Sequence, residues 1–99
     1  MARFDLYRPK RGTGYLLDVQ SDWLEALPSR IVVPLLPPTS ALPVIRDLTP
    51  LFQVAGEEVA MMTHYLTAVP RRELGHAIGS LAEHRDDITR ALDTLMTGF

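Results

Sequence analysis

Apolar and polar residues alternate along most of the first two-thirds of the chain, and the period lengthens beyond Pro70. Phe4-Asp5-Leu6-Tyr7 alternates, Pro9 and Gly12-Thr13-Gly14 turn the chain, and Tyr15-Leu16-Leu17-Asp18-Val19 brings it back. Large apolar and β-branched residues suit a pleated, half-buried surface, so these runs predict strands, with Phe4 and Tyr7 on one strand face. Ile31 to Leu35 predicts a third strand, entered from Leu27-Pro28-Ser29. Pro34 has no amide donor, which places this strand at an edge or puts a bulge near its end. Pro37-Pro38-Thr39-Ser40-Ala41-Leu42-Pro43 is a stiff excursion that reads as an insertion off the main sheet. Leu51 to Val54, a turn at Ala55-Gly56-Glu57, and Val59 to Met62 predict a hairpin; Leu66 to Val69 predicts a short strand stopped by Pro70.

From Leu81 to Met96 the period is helical, with Ser80 and Glu83 at capping-box spacing. Ile88, Ala91, Leu92, Leu95 and Phe99 make an apolar stripe that runs to the last residue, opposite His84, Arg85, Asp86, Asp87, Arg90 and Asp93. Gly98 is the expected stop, because glycine takes the left-handed conformation without steric penalty. The unpaired carbonyls and dipole at such a helix end suit a cationic group on another molecule; alternatively Phe99 packs onto its own domain. The expected architecture is mainly β, mostly antiparallel, with one C-terminal α-helix, as a single domain over residues 1–99.

Ninety-nine residues suffice for one core and not for two. The longest apolar stretches, such as Ile31 to Leu36, are far too short to span a membrane, and the N-terminus lacks a signal-peptide pattern. The lack of cysteine excludes disulfides and fits a reducing cytoplasm. A net charge of −2 argues against a general nucleic-acid binder, and Arg3, Arg8, Lys10 and Arg11 read as hairpin charge. No two of His64, His76 and His84 are three or four residues apart, as a helical metal pair would be, and His84 falls on the charged helix face. Asp86-Asp87 and Glu57-Glu58 are sequence neighbours, which do not face each other on a helix. No nucleophile elbow, phosphate loop or dinucleotide signature is present, so the sequence supports neither a catalytic centre nor a cofactor or metal site.

The order of short motifs is more specific. Asp18-Val19-Gln20-Ser21-Asp22, the Ile31-to-Leu35 strand, Met61-Met62-Thr63, Val69-Pro70, Asp87-Ile88 and a terminal Gly98-aromatic together resemble the CcdB family across nearly the whole chain. The resemblance implies an SH3-like barrel of CcdB/MazF type with a small inserted sheet and a C-terminal helix. It also implies a cytoplasmic homodimeric toxin of a toxin–antitoxin module, plasmid-borne or chromosomal. Such a toxin binds the DNA gyrase A subunit and traps gyrase on cleaved DNA without catalysing anything. A CcdA-like antitoxin neutralises it and supplies the DNA contact through which the pair represses its own operon.

Carried over residue by residue, the gyrase contact falls on Trp23, Leu24, Asp93, Met96, Thr97, Gly98 and Phe99. The antitoxin contact falls on Phe4, Tyr7, Ser21 and Trp23, and the dimer contact on Leu92 and Leu95. One departure matters: the family's terminal tryptophan is Thr97 here, and losing an aromatic anchor from a binding hot spot costs about 2 kcal/mol or more. Trp23 and Phe99 together redistribute the aromatic anchor, or else Trp23 is core cover. Two other readings stay open: a retargeted or inactive relative that keeps antitoxin binding, and an endoribonuclease of MazF type on the same fold.

Overall fold

The computed structural model describes residues 2–39 and 44–98. Seven antiparallel strands form one sheet, followed by the helix: β1 (Asp5–Tyr7), β2 (Tyr15–Asp18), β3 (Ser29–Leu36), β4 (Leu51–Val54), β5 (Glu57–Met61), β6 (Thr67–Pro70), β7 (Gly79–Ser80) and α1 (Arg85–Thr97). The order across the sheet is β4-β5-β3-β2-β1-β7, with β6 also paired to β3, and the sheet curls into a half-barrel around α1. The predicted hairpin is β4–β5, hydrogen-bonded onto the end of β3. Its two-residue loop has Ala55 at φ 52° and Gly56 at φ 80°, the pair of positive values that a type I′ turn requires. Of the proline-rich excursion, Ser40 to Pro43 lie outside the described residues.

Pro34 does not mark an edge. β3 is the centre of the sheet, with β2 along one side and β6 then β5 along the other. Leu17 faces Val33 in the same register in which the Val19 amide donates to Ile31 O, so Leu16 opposite Pro34 is a non-hydrogen-bonded pair. The missing donor therefore points to the other side, where β6 ends opposite Val32 and β5 begins opposite Leu35. There Pro34 O still accepts from the Met62 amide at 2.9 Å. The proline sits at the change of partner, where one missing bond removes little from the ladder.

Alternation sorts the side chains into two clusters. Leu6, Tyr15, Leu17, Val33, Leu35, Phe52, Val59 and Met61 face inward with Leu81, Ile88 and Ala91. Tyr7, Val32 and Leu74 pack on the other face. Gly14 marks a close approach between β2 and β3: at φ +83°, a Cβ there would lie 2.2 Å from Leu35 O.

The helix starts later than its periodicity indicates. Gly79–Ser80 is drawn into the sheet beside β1, and the Leu81 amide donates to Phe4 O at 2.9 Å, holding the chain extended. A 3-10 turn over Ala82–His84 follows before α1. Ser80 Oγ accepts from the Ala82 amide at 3.1 Å, a local bond at the entry to that turn, whose N-cap is Leu81 with no side-chain cap, so the expected capping box is not formed. His84 is half-buried instead of solvated, its ring 4.9 Å from that of Phe52. At the far end Gly98 is left-handed (φ 81°), and its amide donates to Asp93 O and Thr94 O.

Candidate functional site

Asp18 to Leu24 is a loop whose polar side chains are nearly all engaged with the fold. Asp18 and Arg30 are fully buried; Oδ2 of Asp18 accepts from Arg30 Nε at 2.8 Å and lies 2.6 Å from Nη2. Oδ1 accepts from the Gln20 amide at 3.0 Å. Burial pushes the Asp18 carboxyl above its ordinary pKa, while the hydrogen bonds from Arg30 and the Gln20 amide pull it back. Gln20 bridges outward: its Oε1 accepts from the Ile31 amide and its Nε2 donates to Leu24 O, both at 3.0 Å. Ser21 Oγ accepts from the Trp23 amide and opens a 3-10 turn over Asp22–Leu24. Asp22 Oδ1 accepts from the Arg3 amide at 2.8 Å, and Arg3 Nε donates to Val19 O.

The product of this bracing is an indole in water. Trp23 is 95% exposed, so it is not core cover, and Leu24 beside it is half-exposed. An exposed tryptophan on a braced loop is a low-entropy anchor for a partner, because the backbone that carries it is already ordered.

Next to Trp23 a cleft of about 360 Å³ is lined by Arg3, Phe4, Ser21, Asp22, Trp23, Ala82 and Arg85. Phe4 is buried there in the left-handed region at φ 75°, an unfavourable place for an aromatic residue. The Arg3 and Arg85 guanidinium carbons lie 4.8 Å and 5.9 Å from its ring centroid. Phe4, Ser21 and Trp23, assigned to one contact by resemblance, thus converge. Tyr7 does not join them. It is buried on the opposite face with Val32 and Leu74, and burial together with the Asp5 and Asp18 carboxylates raises its phenol pKa. Residues three apart cannot share a face of a period-two strand, and Phe4 precedes β1 in a turn.

On the other side of the loop lies an apolar groove of about 520 Å³, walled by Leu24, Leu27, Ile31, Leu66, Leu92 and Met96. Met96 is 74% exposed. Leu92 lines the groove, whereas Leu95 is half-buried and lies outside its lining. Asp93 turns away into a charged cleft with Asp47, Arg85 and Arg90. Thr97 Oγ1 donates to Asp93 O at 2.6 Å, folding its hydroxyl onto its own helix. Phe99 lies outside the described residues. Sequence reasoning passed over Leu27, Leu66 and Arg85 here, and only the adjacency of Arg3 to Phe4 could have pointed to the cation beside that ring.

Among the described residues no cluster of histidine, aspartate and glutamate could hold a metal, and no helix is long and apolar enough to cross a membrane. The fold is similar to that of an endoribonuclease solved in complex with its cognate antitoxin from Mycobacterial species. The two share 19% identity and a TM-score of 0.73, over 95% of this chain and 92% of that one. The sequence profile described as CcdB protein matches residues 3–98. That match spans the braced loop, the half-barrel and the helix alike, and the chain belongs to the CcdB family of toxins of toxin–antitoxin systems.

Proposed function

We propose that this toxin acts by binding, without catalysis or cofactor, as a homodimer that engages the DNA gyrase A subunit and holds gyrase on cleaved DNA. The observation that carries the reading is Trp23, exposed on a loop fixed by Asp18, Gln20, Ser21 and Asp22. It takes over the anchor role for which Thr97 has no ring, with Leu24 next to it in the loop and Met96, Gly98 and Phe99 at the helix tip; Asp93, on the charged side of the helix, meets a cation of the partner. A CcdA-like antitoxin occupies Phe4, Ser21 and Trp23, so toxin neutralisation is competition for one indole. DNA is reached only through the antitoxin. The dimer contact falls on Leu92 and Leu95 of the helix, because self-complementary apolar surface is what a two-fold contact needs.

A second reading has its own support. At the position of the family's terminal tryptophan stands Thr97, whose hydroxyl is bonded to Asp93 O of its own helix, as expected for a relative that keeps antitoxin binding and has left gyrase.

The test is a gyrase cleavage assay with supercoiled plasmid and ATP, comparing wild type, Trp23→Ala and a variant lacking Gly98 and Phe99. Linear DNA from wild type alone is the expected result. Linear DNA undiminished in a folded Trp23→Ala protein overturns the anchor role. No linear DNA from folded wild type, with gyrase from several bacteria, favours the second reading and makes RNA cleavage the next assay.

A further inference from the structure

We infer that the open seam of the half-barrel is a second binding site, distinct from the Trp23 surface, that accepts an extended peptide as an inserted β-strand. The sheet begins at β4 and ends at β7, and these two edges wall opposite sides of a cleft of about 400 Å³. Gln53, Val54 and Ala55 contribute one wall, and Ile78, Gly79 and Ser80 the other.

The pairing pattern fixes which backbone groups face the gap. The Met61 amide donates to Pro50 O in the register that pairs Phe52 with Val59, so alternation turns the amide and carbonyl of Gln53 away from β5. The Leu81 amide donates to Phe4 O in the register that pairs Ser80 with Asp5, so the Ser80 backbone likewise turns away from β1. Two outward-facing backbone positions, one on each edge strand, thus belong to the lining of one cleft.

A folded second copy can offer only one edge to such a gap. A lone extended segment, unpaired on both sides, can bond to both walls, which is what singles out a peptide as the occupant. Its inward side chains would meet Leu6, Val54 and Leu81, which calls for an apolar residue at alternate positions. The cleft lining also carries two charges, Glu83 from the turn before α1 and Arg8, which is set over the Tyr15 ring at 4.3 Å and donates from Nη1 to Gly14 O at 3.2 Å. A guanidinium fixed in this way selects a carboxylate on the peptide. Near the helix start, the Phe52–His84 ring contact bridges the two sides of the seam.

The probe is the capped peptide acetyl-Asp-Val-Thr-Val-Thr-amide, titrated into the whole protein and followed by amide NMR and hydrogen exchange. Binding should shift and protect the Gln53 and Ser80 amides while leaving the Trp23 indole resonance in place. The same peptide N-methylated at its backbone should bind roughly tenfold or more weakly, since it loses two or more backbone hydrogen bonds. Gln53→Pro removes only an outward donor on an edge strand and should abolish binding in a folded protein. Arg8→Gln should weaken the aspartate peptide several-fold and leave its asparagine counterpart unchanged. Equal binding by the N-methylated peptide, shifts confined to the Trp23 surface, or no response of Gln53 and Ser80 at millimolar peptide each overturn the proposal. None of these readouts depends on gyrase.

Discussion

Replacing Asp18 with asparagine and Arg30 with methionine should produce two different kinds of damage, although both break one ion pair. Neither side chain has any solvent exposure. In Asp18→Asn the guanidinium stays buried with no counter-charge. It cannot shed its proton, and Nη1 already finds no acceptor among the described residues. Leaving a buried charge unpaired costs about 3–5 kcal/mol. For a domain of 99 residues, each 1 kcal/mol lowers Tm by about 4–8 °C, so the loss should exceed roughly 12 °C. Arg30→Met leaves a carboxylate, and a carboxylate can neutralise itself. Its folded pKa is already raised by burial, and losing Arg30 removes an influence that lowers it. The folded pKa then stands above the unfolded one, so the destabilisation is present above the folded pKa and is relieved as pH falls toward the unfolded value. Thermal melts at fixed protein concentration, from about pH 7 down to about pH 5, should show the Arg30→Met deficit shrinking, whereas the Asp18→Asn deficit, with no carboxyl there to protonate, does not shrink. Parallel pH profiles for the two variants would refute the assignment of the burden to Arg30.

Gly14→Ala should cost about 2–4 kcal/mol by urea denaturation, because the new Cβ meets the Leu35 carbonyl at 2.2 Å and φ is +83°. The Tyr7 phenol is raised above its ordinary value, so the unfolded chain ionises first and stability falls as pH climbs past about 10. Tyr7→Phe should lack that alkaline loss; an unchanged alkaline melt would place the sensitivity elsewhere. Leu95→Asp, on the half-buried part of the helix assigned to the dimer, should yield a monomer in sedimentation with its circular-dichroism spectrum retained, whereas a retained dimer would move the self-contact off this face.

The parts of the fold that short-range patterning controls were legible. The β4–β5 turn and the left-handed Gly98 follow from residue types whose backbone preferences dominate their sites. Where the expectation failed, a long-range partner decided. Pro34 reads as an edge residue only if a strand keeps one neighbour along its length, and β3 changes neighbours at the proline. Ser80 reads as a helix cap until β1 recruits it into the sheet. Phe4 and Tyr7 reads as one pair, and a turn with positive φ separates them. The braced loop was visible as a motif, but not the use of its residues: Asp18 is engaged with an arginine twelve residues away that nothing in its own strand marks as buried.

That use bears on how specificity is carried. In the segment Asp18 to Asp22 the polar groups are bound to backbone or to Arg30, so they mount the contact residue instead of making the contact. Leu24, from the loop, and Met96, from the helix end, line one groove, and Trp23 and Thr97 are their immediate chain neighbours. Both are exposed, so exchanging them should leave stability within about 0.5 kcal/mol. If a single aromatic anchor near this groove is what gyrase requires, Thr97→Trp should restore to Trp23→Ala much of the plasmid linearisation it lost. The restored ring should again contribute about 2 kcal/mol or more, roughly a thirtyfold gain in affinity. Failure of the folded double variant to regain linearisation, with Thr97→Trp alone fully active, would mean that the anchor works only from the braced loop.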